Sequence, residues 1–300
     1  MSPRAADDRL IWGMDGRDWP HRDYSRFIEA GGLRWHVQRM GEGPILLLVH
    51  GTGAATHSWR DLAPLLARGF TVIAPDLPGH GFTDPMKPAA LSLPGMAAAL
   101  AALLRLFQIE PAIVVGHSAG AALLARFCLD RALAPRLLVS LNGALLPFEG
   151  MAGLLFPPMA KLVLLNPLAP RLFAWSADQA AVARILRGTG SRIDRRGVEL
   201  YARLLGNAGH VSGALGMMAN WDLEALDRDL SRLTTPTLLV AGQGDKAVKP
   251  ADAEKARALL AKAHVRYLGG LGHLAHEERP DIVADLIFEE AAKVGVLAPR

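Results

Sequence analysis

Short apolar runs recur along the chain, and each ends at a glycine, a proline or a polar residue. They lie at residues 45–49, 70–74, 113–115, 137–141 and 237–241. Continuous apolar runs of this length are typical of parallel strands that are buried on both faces. Helical segments lie between or after them, at residues 58–67, 92–107, 119–131 and 251–261. This alternation predicts an α/β fold with a doubly wound, mostly parallel sheet.

Two interruptions of this pattern predict how the chain is organised. Gly31 and Gly32 separate the runs at residues 26–30 and 33–38, which favours a two-residue hairpin. Between residues 145 and 233 no strand-like run occurs, and short helical patterns broken by proline and glycine predict an inserted helical cap. We therefore expect three parts, which are an N-terminal extension at 1–24, a core at 25–144 and 234–300, and a cap at 145–233.

The composition is that of a globular protein and excludes several classes. The chain has 300 residues, of which 51% are apolar, and its 33 basic and 29 acidic residues leave a net charge of +4. The basic residues are scattered, so nucleic acid is not an expected partner. A lone cysteine, Cys128, and a charged N-terminus without an apolar signal core predict a cytoplasmic protein.

The most apolar stretch of the predicted cap lies at residues 151–175. Lys161 and several prolines interrupt it, so it is not predicted to span a membrane. Two interpretations stay open, because the stretch suits either the lining of a hydrophobic substrate site or a packing face. A peripheral contact with a membrane through the cap is a further alternative.

The segment Gly116-His-Ser-Ala-Gly120 follows an apolar strand and precedes an apolar helix. This is the context of a nucleophile elbow, in which a tight turn presents a serine above the carboxyl edge of the sheet. A glycine two residues before and after the serine leaves room for the backbone to turn so tightly. The pattern predicts Ser118 as a nucleophile, whereas a plain glycine-rich turn is the alternative.

Serine needs a base, and the base needs a group that orients it. Asp245 follows the predicted strand at 237–241, and His273 lies on a glycine-rich loop after a further predicted strand at 264–268. The order Ser118, Asp245, His273 is the order expected of this kind of sheet. The alternatives are a helix cap for Asp245 and a loop position for His273.

An oxyanion hole needs two N–H donors, one from the residue after the nucleophile and one from the loop after the first buried strand. These positions hold Ala119 and Thr52. Candidates for the lining of the adjacent pocket are His50, Gly51, His117, Phe148, Met159 and Trp221.

No motif indicates a metal ion or an organic cofactor. His273 and His276 have no third ligand at a zinc-like spacing, and neither a phosphate-binding loop nor a dinucleotide fingerprint occurs. We therefore expect a reaction that uses only side chains and water, without a metal site.

Five segments resemble the α/β-hydrolase superfamily, and the resemblance extends over residues 25–292. They read LLLVHGTG, APDLPGHGFTDP, VVGHSAGA, LLVAGQGD and GLGHLAHEERP. The resemblance implies the α/β-hydrolase fold, in which Ser118, Asp245 and His273 match the triad and Thr52 and Ala119 match the oxyanion donors. Haloalkane dehalogenases and epoxide hydrolases carry an aspartate nucleophile where this chain has serine. The alternative acid position, after the strand at 137–141, holds Asn142.

Further segments, partly outside the catalytic motifs, are similar to the magnesium-chelatase accessory hydrolases of bacteriochlorophyll biosynthesis. They read DWPHR, GLRWHVQRMG, HGTGAATHSWR, SLNGALLPFEGMAG, NPLAPRLFAW and GALGMMANWDL. This resemblance implies a role beside the enzyme that inserts magnesium into protoporphyrin IX, with chelatase subunits as partners.

Three hypotheses of function result from these observations. The first is a serine hydrolase that acts on a bulky, flat or lipidic ester or a related carbonyl compound. The second is a non-catalytic accessory protein that holds a porphyrin or contacts chelatase subunits. The third is a cofactorless carbon–carbon hydrolase or perhydrolase that uses the same residues.

Overall fold

Eight strands form one sheet in the computed structural model of the protein, which describes residues 9–108, 110–132, 134–147, 166 and 168–298. The strands are β1 Ser25–Ala30, β2 Leu33–Met40, β3 Ile45–Val49, β4 Thr71–Pro75, β5 Ile113–His117, β6 Leu137–Leu141, β7 Thr237–Gly242 and β8 Ala263–Leu268. Their order across the sheet is β1-β2-β4-β3-β5-β6-β7-β8. The hairpin β1–β2 is antiparallel and β2 runs antiparallel to β4, whereas all other pairs are parallel. The predicted α/β fold is confirmed.

Helices cover both faces of the sheet. They are α1 Trp12–Asp15, α2 Leu62–Leu66, α3 Leu93–Phe107, α4 Ala119–Leu129, α5 Ala169–Ser176, α6 Gln179–Gly188, α7 Arg195–Leu205, α8 Ala208–Asn220, α9 Glu224–Asp229, α10 Pro250–Leu259, α11 Ala275–Glu278 and α12 Pro280–Lys293. Short 3-10 turns lie at Arg22–Tyr24, Thr56–Trp59, Pro88–Ala90 and Leu230–Arg232. The central strands therefore alternate with helices, as the apolar pattern predicts.

The helix predicted at residues 58–67 is wrong in its extent. The chain instead forms the 3-10 turn Thr56–Trp59 and then the five-residue helix α2. Pro64 explains the difference, because a continuous helix would require the backbone N–H that proline lacks. With α2 starting at Leu62, Pro64 falls in the first turn, where a backbone N–H has no acceptor within the helix.

The strands bury alternate residues on opposite faces of the sheet, which explains their continuous apolar runs. In β3, Leu47 and Val49 pack in the cluster that contains α3 and α4. Leu46 and Leu48 pack in the cluster that contains α2 and α12. The carboxyl ends of the parallel strands β3, β5, β7 and β8 consequently open onto one edge, where loops can converge.

The chain between β6 and β7 contains helices α5 to α9 and one 3-10 turn in the part that the structure describes. Its division from the core as a separate cap stays a prediction. Phe148 and Met159 lie outside the described residues. Within those residues, none of the helices combines the length and the hydropathy that crossing a bilayer would require.

Candidate active site

Ser118 occupies a strained turn between β5 and α4. Its φ of 51° and ψ of −118° lie in a region that residues with a side chain rarely adopt. The two neighbouring glycines have no room for a side chain. A Cβ at Gly116 would clash with the backbone of Ala121, and a Cβ at Gly120 would clash with the carbonyl oxygen of Val49. The glycine spacing in the sequence therefore reflects close backbone packing on both sides of Ser118.

Asp245 and His273 lie together at the carboxyl edge of the sheet. His273 Nδ1 donates a hydrogen bond of 2.8 Å to Asp245 Oδ2, and both residues are buried. The other carboxylate oxygen, Oδ1, accepts the backbone N–H groups of Ala247 and Val248 at 2.8 and 3.0 Å. Because the carboxylate is held by its own loop, it can fix the orientation of the imidazole ring.

Asn142 supports this pair from the end of β6. Its Nδ2 donates to Asp245 Oδ2 at 2.8 Å and to the carbonyl oxygen of Gly272 at 3.3 Å. The sequence presents Asn142 only as the alternative position for the acid, and the structure instead makes it a partner of the acid. No sequence motif predicts that contact, because it joins loops that are 103 residues apart.

Ser118 is not joined to His273 by a hydrogen bond in the described part of the chain. Gly51 approaches the serine closely, since a Cβ at that position would lie 3.0 Å from Ser118 Cβ and 3.0 Å from His117 Nδ1. His117 Nε2 in turn donates to the carbonyl oxygen of His273 at 3.0 Å. The structure therefore brings the elbow and the histidine loop together through His117 instead of through the serine hydroxyl.

Thr52 lies in the loop after β3, and Ala119 is the first residue of α4. Helix α8 fixes the Thr52 loop at two points. His210 Nε2 donates to the carbonyl oxygen of Gly53 at 3.1 Å, and Thr52 Oγ1 donates to the sulfur of Met217 at 3.4 Å. The loop after β3 is therefore held by an element from the chain between β6 and β7.

The remaining candidates for pocket lining fall into different environments. His50 is fully buried, its Nδ1 donates to the carbonyl oxygen of Gly51, and its Nε2 accepts the N–H of Leu77. Trp221 is half-buried and packs against the core cluster beside α4.

A cavity of about 740 Å³ lies elsewhere, between the N-terminal segment, the loop after β4 and α8. His50, Gly51, His117 and Trp221 are not among the residues that line it.

A hydrogen-bonded series of aspartate, histidine and serine lies outside the predicted site. His36 Nδ1 donates to Asp76 Oδ2 at 2.7 Å, and Ser25 Oγ lies 2.9 Å from His36 Nε2. Asp76 also accepts the N–H groups of Thr56 and Phe82. Ser25 has an ordinary extended backbone, with φ −79° and ψ 139°, and no helix follows it. This chain of contacts ties β1 and β2 to the loop after β4 without an elbow.

Buried histidines surround the loop after β3, and burial lowers the pKa of His210 to about 4. Its Nε2 donates to Gly53 while its Nδ1 accepts the N–H of Gly81 at 3.0 Å, so the contacts require the neutral ring. The unfolded chain binds the proton near pH 6.5 and the folded chain only near pH 4. The stability that the neutral His210 ring contributes is therefore fully present above pH 6.5, and it is lost as the pH falls toward 4.

We expect His210 alone to remove about 3 kcal/mol of unfolding free energy across that pH interval. The measurement is urea unfolding at pH 7 and at pH 4.5, for the wild type and for His210→Gln. Glutamine has no titrating group, so the variant should lose less stability than the wild type on acidification. An identical loss in both proteins would contradict the assignment.

Metal ligation has no support in the ranges that the structure describes, where no group of three or more histidine, cysteine or acidic side chains is arranged to hold an ion. His276, the second histidine of the predicted loop, packs against the rings of His117 and Trp59. Burial lowers its pKa to about 3, so the ring is neutral at physiological pH. Its Nε2 also forms a hydrogen bond of 2.8 Å with Ser58 Oγ, so the ring is held by a hydroxyl as well as by aromatic neighbours.

Comparison with known proteins agrees with this architecture. The profile of the alpha/beta hydrolase family matches residues 46–286. The magnesium-chelatase 30 kDa subunit of Rhodobacter capsulatus is 39% identical over 275 residues, which are 91% of this chain and 96% of that protein. Both resemblances inferred from the sequence motifs are therefore confirmed.

Solved structures show the same fold. An alpha/beta hydrolase fold protein from Burkholderia ambifaria has a TM-score of 0.76 at 24% identity, covering 89% of this chain and 98% of its own. The epoxide hydrolase CorEH has a TM-score of 0.75 at 23% identity, covering 90% and 99%. At these identities the likeness concerns the fold alone, and the profile match over most of the sequence is what shows the family. The chain belongs to the alpha/beta hydrolase family.

Proposed function

We propose that the protein is a serine hydrolase in which Ser118 is the nucleophile, His273 the base and Asp245 the residue that orients the base. The observation that carries the proposal is the hydrogen bond of 2.8 Å from His273 Nδ1 to Asp245 Oδ2. It leaves Nε2 of the neutral ring as the acceptor that a serine hydroxyl needs. The strained backbone of Ser118, at the start of α4, supports its role as nucleophile.

In the proposed reaction, Ser118 Oγ attacks the carbonyl carbon of an ester and its proton passes to His273 Nε2. The N–H groups of Thr52 and Ala119 donate to the oxyanion that forms. The carbon–oxygen bond then breaks, and the alcohol leaves with the proton from His273. Water repeats the sequence on the acyl-enzyme, releasing the acid and restoring the serine. The contact between Ser118 and His273 must form when substrate binds, as is common for catalytic hydrogen bonds.

The biological setting of this reaction is proposed from the relative in Rhodobacter capsulatus, whose name places it with magnesium chelatase. We infer that the chain serves magnesium insertion into protoporphyrin, in bacteriochlorophyll biosynthesis, and that chelatase subunits are its partners. Identity of 39% over nearly the whole of both chains supports this setting. The substrate class is an ester or a related carbonyl compound.

A second candidate is a non-catalytic accessory role in the same process. Two observations favour it, which are the absence of a hydrogen bond between Ser118 and His273 in the described residues and the relative's name as a subunit. In that case Asp245, Asn142 and His273 would serve only to hold the loops at the carboxyl edge of the sheet.

Labelling with a fluorophosphonate, followed by mass spectrometry of the peptides, tests the nucleophile. We expect one adduct, on Ser118, because among the serines that the structure describes it alone follows a strand and opens a helix as the elbow requires. Ser25 is the internal control, since it belongs to an Asp–His–Ser chain but lacks an elbow. An unmodified Ser118, or an adduct on Ser25, would refute the proposal.

Pigment formation separates the two candidate roles. In a strain that lacks the gene, Ser118→Ala should fail to restore the pigment if hydrolysis is the function, whereas Ser25→Ala should restore it. Full restoration by Ser118→Ala would establish the accessory role, even if the wild-type serine reacts with the probe.

A further inference from the structure

Helix α5 directs an apolar stripe toward solvent. Leu168, Leu172 and Trp175 are 54%, 61% and 88% exposed. Leu168 directly precedes the helix with helical backbone angles, so spacings of four and three residues place all three along one side. By contrast, Trp19 and Trp35 are at most 2% exposed. An apolar stripe with a nearly bare tryptophan indicates a binding surface.

Positive charge accompanies the stripe. Residues 168–193 contain four arginines and a single acidic residue, in a chain whose total net charge is +4. Arg184 and Arg187 are exposed on α6, and neither forms an ion pair with another residue in the described ranges. The acidic residue, Asp178, accepts the N–H of Ala181 and caps the start of α6. The segment that carries the stripe is therefore net positive, which suits a partner that is both anionic and apolar.

We propose that the stripe on α5 binds the surface of an anionic phospholipid bilayer. Leucine and tryptophan side chains enter the boundary between headgroups and acyl chains, where the indole N–H keeps a polar neighbour. The exposed arginines meet the lipid phosphates. The binding is peripheral and does not depend on Ser118 or on any catalytic step.

The size of the stripe favours a bilayer over a folded protein partner. Helix α5 has eight residues and is about 12 Å long. A stable protein interface takes roughly 800 Å² from each partner, which so short a helix cannot supply. A bilayer sets no such minimum, because each apolar side chain that enters it adds binding energy independently.

Flotation with lipid vesicles tests the proposal on the full chain. We expect the protein to float with vesicles of equal parts phosphatidylcholine and phosphatidylglycerol, and far less with phosphatidylcholine alone. Leu172→Ser with Trp175→Ser should reduce binding roughly tenfold or more, because both apolar contacts are lost. The matched control is Leu106→Ser with Leu259→Ser, two exposed leucines on α3 and α10, and it should bind as the wild type does.

The contribution of the arginine charges is tested by the double variant Arg184→Gln with Arg187→Gln. This variant should bind the anionic vesicles more weakly, and its binding should depend less on salt. All of these side chains are exposed, and equal thermal unfolding of the variants verifies the fold. The proposal fails if the wild type does not float, if the serine variant on α5 floats as well as the wild type, or if neutral vesicles bind equally. Self-association that the serine variant abolishes, without vesicle binding, would assign the stripe to a second copy of the chain.

Discussion

Asparagine in place of Asp245 is expected to lower kcat for hydrolysis of a p-nitrophenyl ester by about 10⁴-fold. The amide keeps the shape of the carboxylate but replaces Oδ2, which accepts from both His273 and Asn142, by a donor. The imidazole must then present Nδ1 as an acceptor and carry its proton on Nε2, where it cannot receive the proton of Ser118. A loss of less than tenfold would show that Asp245 does not orient a catalytic base.

A double variant separates the effect of Asp245→Asn on the protonation of the His273 ring from an effect on the stability of the fold. Asp245→Asn places two amide donors face to face, at positions 245 and 142. Adding Asn142→Asp restores a donor and an acceptor between these positions, so part of the unfolding free energy should recover, although the hydrogen bond from position 142 to the carbonyl oxygen of Gly272 is lost. Activity should not recover, because position 245 still presents a donor to His273. Recovery of both would mean that Asp245→Asn acts by destabilising the loops, or that a carboxylate at position 142, the alternative acid position, orients His273 instead.

Methionine in place of Arg60 is expected to lower the free energy of unfolding by about 3–5 kcal/mol. Arg60 pairs with the buried carboxylate of Glu277, and it also donates to Asp194 at 2.8 Å. Ser58 Oγ and Tyr201 OH donate to Glu277 at 2.7 and 2.8 Å. Without the guanidinium, Glu277 would remain a buried charge with only neutral donors. Burial already raises its pKa in the intact protein.

Urea unfolding at pH 7 measures the effect of Arg60→Met. Arg257→Met is the matched control, because Arg257 pairs with Glu254 on the surface, where both side chains are about half exposed, and it should leave stability unchanged. Adding Glu277→Leu to Arg60→Met removes the unpaired charge and should return part of the lost stability. If the double variant is no more stable than Arg60→Met, the loss comes from packing and not from the charge.

The Arg60 cluster also shows what the sequence alone cannot reveal. Arg60 follows the first 3-10 turn after β3, Asp194 caps α7, and Glu277 lies in α11. Arg60 and Glu277 fall in segments that carry the resemblances, but no pattern there predicts their pairing, and Asp194 lies in none of these segments. Arg60 is 134 positions from Asp194 and 217 from Glu277. Their meeting depends on how the chain between β6 and β7 packs on the core, which hydrophobic periodicity does not specify.

Local patterns along the chain were enough to predict the parallel strands, the opening hairpin and the tight turn at Ser118. These features depend on local patterns, because a buried strand needs a continuous apolar run and a tight turn needs glycine. The same local reasoning failed at residues 58–67, where the position of Pro64 in the first turn had to be known.

The side chains that meet at the carboxyl edge could not be predicted in this way, because their contacts follow from the packing of distant segments. The tertiary structure set Asp245 2.8 Å from His273, made Asn142 a partner of the acid, and attached the Thr52 loop to α8 through His210. It also exposed Trp175, whose surroundings no pattern predicts. Hydrogen bonds across loops depend on ångström distances between segments far apart in sequence, whereas strands and turns depend on neighbours along the chain.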